Sequence, residues 1–167
     1  MTESFEEHLE RRRMGVNAGI VDYFDEVVTF PLWNLSGQMQ GFQQYRWDMP
    51  KKGNRPYLNK YFTYLPKGSL AVFGLEYVPE CYCGDVIVVE GVWEAVALIS
   101  TGTVAIAVLG NNPKQLRTWL NSTTWNVVPY CQPDEAGKKL ANLNKANAVF
   151  FDKDLDEIVQ EGKYAAC

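Results

Sequence analysis

The second half of the chain alternates two kinds of segment, and that alternation restricts its fold more than any other feature. "DVIVVE", "TVAIAVL", "WNVVPYC" and "NAVFF" are short apolar runs, and the stretches between them, 91 to about 100, 113 to about 120 and 135 to about 144, have helical character. A strand that is apolar throughout must be covered on both faces, and a helix between strands returns the chain to begin the next strand in the same direction. The pattern predicts a parallel sheet flanked by helices, closed by an acidic turn and a short helix from about Leu155.

Before Asp85 the pattern differs. Residues 3–13 and 16–25 read as short helices, and "VVTFPLWNLSGQMQGFQQYRWD" reads as two strands joined at Ser36-Gly37. The loop "MPKKGNRP" follows, then strand-like "YLNKYFTYL" and "SLAVFGLEYV". The expected architecture is a small mixed α+β lobe with antiparallel strands over 1–80 and an α/β domain over 81–167.

With 47% hydrophobic and 22% charged residues and no low-complexity tract, the composition is that of a globular protein. The longest apolar runs are interrupted by Glu90, Glu94 and Gly102, so neither makes a span of ~20 residues. The acidic N-terminus, "MTESFEEHLERRR", does not read as a leader peptide, so no membrane association is expected and the reading is cytoplasmic. Cys81, Cys83, Cys131 and Cys167 lack the paired spacing of a zinc ribbon and read as free thiols. The one histidine, His8, reads as a solvated side chain on a surface helix, which leaves a Ser-His or Cys-His nucleophile scheme weakly supported.

Net charge is −4, but residues 27–75 hold six basic groups against one acidic. Arg46, Lys51, Lys52, Arg55, Lys60 and Lys67 are interleaved there with Tyr45, Trp47, Tyr57, Tyr61, Phe62 and Tyr64. That mixture suits single-stranded nucleic acid, whose phosphates pair with cations while its bases stack on rings, but from composition alone a solvated, aromatic-rich antiparallel sheet is the better reading.

Parallel sheets place ligands at the carboxyl ends of their strands. The residues just beyond the apolar runs are acidic: Glu90 with Glu94 one helical turn on, Asp134, then Asp154 and Asp156. Singly, each could be a helix cap. Together at one edge they would repel one another unless cations shared the site, and oxygen donors favour Mg2+ or Mn2+.

"VIVVEGVWEA" and "VVPYCQPDEAGKKLA" resemble the Glu-Gly motif and the Asp-x-Asp motif of the Toprim superfamily. "HLERRRMGVNAGIVDYF", "FPLWNLSGQMQGFQQYR" and "YLNKYFTYLPKGSLAVFGLE" are similar to the amino-terminal lobe of the bacterial-type primase RNA-polymerase core, and "FFDKDLDEIVQEG" to its later acidic segment. The likeness runs from about residue 8 to 162. It implies a Toprim domain behind a primase-type lobe, and template-directed nucleotidyl transfer with divalent cations.

Carried over by position, the resemblance makes Glu90 the general acid/base or a metal ligand, and Glu94, Gln132, Asp134, Asp154 and Asp156 the rest of the metal site. Arg46, Lys60 and Lys67 become contacts to nucleic acid. Gly91 and Gly137 would serve close backbone approach. The implied partners are single-stranded DNA, nucleoside triphosphates and a helicase on a separate chain, in the host cytoplasm if the chain is phage-encoded.

Three departures stand out: no zinc-ribbon module accompanies these residues, no helicase-binding domain or phosphate-binding Gly-x-x-x-x-Gly-Lys loop follows, and Gln132 occupies the position of the first aspartate of the pair. An amide ligates a hard cation but brings no charge and bridges no second metal. Two functions stay open, a primase-like polymerase core and a catalytically impaired module that binds nucleic acid or a partner, with a Toprim nuclease third.

Overall fold

The computed structural model describes residues 2–12, 18–111 and 113–152. Two four-stranded sheets organise them: an antiparallel one with strands in the order 20–22, 27–33, 39–46, 61–64 and a parallel one in the order 105–107, 85–89, 126–131, 149–150.

Helix α1 (Phe5–Arg11) opens with a capping box in which Ser4 accepts from the Glu7 amide and the Glu7 side chain accepts from the Ser4 amide. Strands β1 (Ile20–Asp22), β2 (Val27–Trp33), β3 (Met39–Arg46) and β4 (Tyr61–Tyr64) follow. The expected hairpin joins β2 to β3, held by Asn34 Oδ1, which accepts from the amides of Ser36 and Gln38 at 3.0 and 2.9 Å. Gly37 there has φ 75°, a conformation glycine adopts without strain.

The helix expected over 16–25 is corrected in its described part. Residues 20–22 pair with β2 as a strand, and Asp22 Oδ1 then accepts from the amides of Phe24 and Asp25, turning the chain instead of continuing a helix. Residues 13–17 lie outside the described residues. "SLAVFGLEYV" is likewise not a continuous strand: Val72 bridges to Trp33 and Phe73 to Ala107, after which Leu75–Tyr77 form a 3-10 turn. Serving one sheet with each of two successive residues prevents a ladder with either, and it ties the sheets together. In "YLNKYFTYL" the strand is confined to 61–64, preceded by a 3-10 turn over Pro56–Leu58.

The parallel half follows the sequence pattern closely. It runs β5 (Asp85–Val89), α2 (Val92–Ser100), β6 (Ala105–Ala107), α3 (Pro113–Asn121), β7 (Asn126–Cys131), α4 (Glu135–Ala141) and β8 (Val149–Phe150). Helix α4 ends three residues before the expected boundary, and the helix expected from about Leu155 lies outside the described residues. No described helix is long and apolar enough to cross a membrane.

Two cores follow from strand alternation. Val86 and Val88 pack with Leu116 and Leu120 of α3 and Leu140 of α4. Ile87 and Val89 face the other way, toward α2 and the inner face of the antiparallel sheet, where Phe30, Leu32, Tyr45 and Trp93 are buried. Helix α2 is therefore the layer shared by both sheets. Trp93 is its anchor, with ring centroids 5.3 Å from Phe30 and 5.0 Å from Tyr45.

His8 is a second correction, because it is buried, not solvated. Its Nε2 lies 2.9 Å from the Tyr45 hydroxyl and its Nδ1 3.3 Å from Glu3 Oε2. The imidazole fastens α1 to β3. Burial pushes its pKa below the usual histidine value, against the opposing pull of Glu3.

Candidate active site

The carboxyl edge of the parallel sheet is built at β5 and β7, neighbours whose following helices lie on opposite faces of the sheet. Such a switch point leaves a crevice between the two strand ends. Glu90 stands at the end of β5 and Asp134 beyond the end of β7. Gly91 caps α2 and Glu94 lies in its first turn, with Glu94 Oε1 close enough to touch a Cβ at Gly91.

The acidic groups sense one another. The Glu90 carboxyl is held above the usual range, first by burial and then by the charge of Asp134, although its side chain reaches solvent. Cys131, buried behind this edge, has its thiol pushed up to about 11 by burial and by the charges of Glu90 and Glu94. These shifts mark concentrated negative charge at the crevice. Asp134 also does structural work: its Oδ1 accepts from the Gly137 amide at 2.7 Å as the N-cap of α4.

Gly137 has a second reason to be glycine, since a Cβ there would overlap the backbone of Gln132. The backbone of 132 is therefore clamped beneath α4, and its side chain is half-buried. Among the described residues, no three His, Cys, Asp or Glu side chains form a group able to hold a metal ion. Asp154 and Asp156 lie outside the described residues.

A cleft of about 590 Å³ runs between the two sheets past this edge. Glu90, Trp93 and Glu94 line one side, and Arg12, Lys51, Lys60 and Tyr61 the other. The Arg12 guanidinium carbon sits 5.0 Å from the centre of the Trp93 ring, a cation–π contact that places a cation across from the carboxylates. A second cavity of about 330 Å³ opens on the far side of Glu90, between α3 and α4, with Asn111, Leu116, Lys139 and Leu143 in its wall. Leu109 and Gly110, both with positive φ (52° and 76°), form the loop that lines the cleft. For leucine that conformation is uncommon, and the Asn111 side chain ties the loop back through the Ala71 carbonyl at 3.0 Å.

Of the three basic positions carried over as nucleic-acid contacts, Arg46, Lys60 and Lys67, the structure brings Lys60 to the cleft, where Lys51 joins it. Arg46 follows Gln43 and Tyr45 on β3 with opposite parity, so it points from the outer face, where its Nη2 donates to Gln44 Oε1 at 3.2 Å. Lys67 is exposed in the turn closed by the Ser69 amide and the Pro66 carbonyl. Sequence reasoning missed Arg12 and Trp93. The "RRR" run offers three arginines without saying which one turns inward, and a tryptophan inside an apolar helix reads as core.

An antiparallel lobe is packed through one helix onto a parallel sheet whose acidic strand ends face a cationic wall. No family model matches the sequence, and no curated protein does. Solved structures do. The chain is similar to the E. coli primase catalytic core at 22% identity and TM-score 0.58, over 81% of this chain and 48% of that one. It is similar to the DnaG primase catalytic domain bound to ssDNA at 20% identity and TM-score 0.58, over 94% and 58%. The primase fragment of the bacteriophage T7 primase-helicase protein gives 13% identity and TM-score 0.62, over 91% and 65%. The chain has the primase-core fold and spans 48% to 65% of the length of these three proteins.

Proposed function

We propose that this chain is a primase-like nucleotidyl transferase core that joins ribonucleotides into short primers on single-stranded DNA. The observation that carries the reading is the cleft in which Arg12, Lys51 and Lys60 face Glu90 and Glu94. Residues 1–80 bring the cations and 81–167 the carboxylates, so the two segments act as complementary halves of one site.

The reaction needs an attack by a 3′-hydroxyl on the α-phosphorus of a nucleoside triphosphate, with pyrophosphate leaving. The cationic wall holds the phosphates, with Arg12 steadied on the Trp93 ring. Glu90, whose carboxyl sits above the usual range, takes the proton from the attacking hydroxyl. Oxygen donors on this edge fit a hard divalent cation, Mg2+ or Mn2+, which would neutralise the triphosphate and activate the hydroxyl. The proposed ligands are Glu90, Glu94 and Asp134 with the Gln132 amide oxygen, Asp154 and Asp156; the described carboxylates do not converge as a three-donor group, so binding would have to draw them together. Arg46 and Lys67 lie outside the cleft and would contact the template away from the chemistry. A replicative helicase on another chain is the matching protein partner, in keeping with the primase-helicase origin of the T7 fragment.

The test is incorporation of labelled ribonucleotides on single-stranded DNA with Mg2+ or Mn2+. Short products that vanish with a chelator and in Glu90→Gln are expected. Cleavage of the template instead would identify a nuclease. A second reading has its own support in Gln132 and in the commitment of Asp134 to capping α4: a module that binds DNA without synthesis. Intact binding with no product under either metal would establish that reading instead.

A further inference from the structure

The antiparallel sheet has an outer face, turned away from α2, that the cleft does not use. Alternation along β3 and β4 sets Phe42, Gln44 and Arg46 beside Phe62 and Tyr64 on that face, while Tyr45 and Tyr61 point inward. The Phe42 ring centroid lies 5.6 Å from that of Tyr64, with planes 29° apart, and 6.3 Å from that of Phe62. Tyr64 is 51% exposed and Phe62 is half-buried, so their rings form a continuous, accessible aromatic surface on an edge strand. Lys60 stands at one end of the β4 row and Lys67 just past the other. The stretch that builds this face holds six basic residues against one acidic, which is complementary to a polyphosphate and would repel the same face of a second copy.

We propose that this face is a stacking platform for the single-stranded DNA template, with Phe62 and Tyr64 under successive bases and Lys60 and Lys67 on the flanking phosphates. Alternate residues of a strand are about 6.6 Å apart, close to the step of an extended single strand, so one base per outward ring is sterically natural. Lys60 also lines the cleft, so the strand passes from the platform over the β4 edge into the site. The assignment of the strand as template rests on the proposed polymerase function; binding itself requires no chemistry.

Anisotropy of a labelled oligothymidylate, measured in chelator without nucleotide over a range of salt, tests the platform. Tyr64→Leu and Phe62→Leu keep apolar area but lose the flat ring, and each should weaken binding by about 5-fold or more with the salt slope unchanged. Tyr64→Trp should bind at least as well as wild type, and Lys67→Ala should weaken binding and flatten the slope. The proposal is overturned if both leucine variants bind as wild type while Lys51→Ala/Lys60→Ala loses binding, since the strand would then contact only the cleft. It is equally overturned if the ring variants change binding of an oligouridylate alone, or if they dissociate a dimer in sedimentation without changing DNA affinity. A preparation that shows the expected anisotropy pattern and makes no primer supports the platform and removes only the polymerase reading.

Discussion

Glu90 carries the electrostatic strain of the acidic edge. Its pKa is raised in the folded protein, so between the unfolded value near 4.5 and the higher folded value the native state holds more protons than the unfolded one. Stability contributed by this group therefore falls as pH rises through that window. Glu90→Gln should raise Tm at pH 7 to 8, with a difference that shrinks toward pH 4; a variant less stable than wild type at pH 7 would count against a charge-strained edge. Gln132 bears on the same balance. Replacing it with aspartate adds the charge an amide lacks, so Gln132→Asp should tighten Mn2+ binding in calorimetry and speed any nucleotidyl transfer. Unchanged metal affinity would mean that position 132 does not face the cation.

Helix α4 shows how one element serves stability and the site together. Its seven residues are too few to persist alone, and it is held by the Asp134 cap and by the close approach of Gly137 to the 132 backbone. The observed cap and the proposed metal-ligand role of Asp134 separate by substitution. Asp134→Asn keeps an acceptor for the Gly137 amide and should leave urea stability within a few tenths of a kcal/mol, while Asp134→Ala should cost about 1 kcal/mol. Both should weaken divalent-cation binding, because both remove the charge. If Asp134→Asn binds metal as wild type does, the residue is a cap only. The strand-to-helix alternation that positions α4 was plain in the sequence, because apolar runs and turn residues are local signals. The strand at 20–22 was not, since its partner lies on β2 and "NAGIVDYF" alone carries no sign of it.

At the scale of the molecule, the two sheets are one packed body. The core under α2 contains residues of both, and Val72 and Phe73 bridge to one sheet each. Urea unfolding followed by tryptophan fluorescence and by far-ultraviolet circular dichroism should give coincident single transitions. Separate midpoints would show the halves folding independently. The cleft depends on this packing, since its cations come from segments before β5 and its carboxylates from the end of β5 and from α2, and a shift between them would part the two charges.

The sequence by itself determined the parallel half, the acidic strand ends and the basic, aromatic middle segment, because hydrophobic period, turn chemistry and charge are written in neighbouring residues. Only the tertiary structure decided which cations meet the carboxylates. It turned Arg12 and Lys60 into the cleft, left Arg46 on the outer face and buried His8 against Tyr45. Those outcomes depend on strand parity and on contacts between residues far apart in the chain, such as the 37 positions from His8 to Tyr45, which no local pattern encodes.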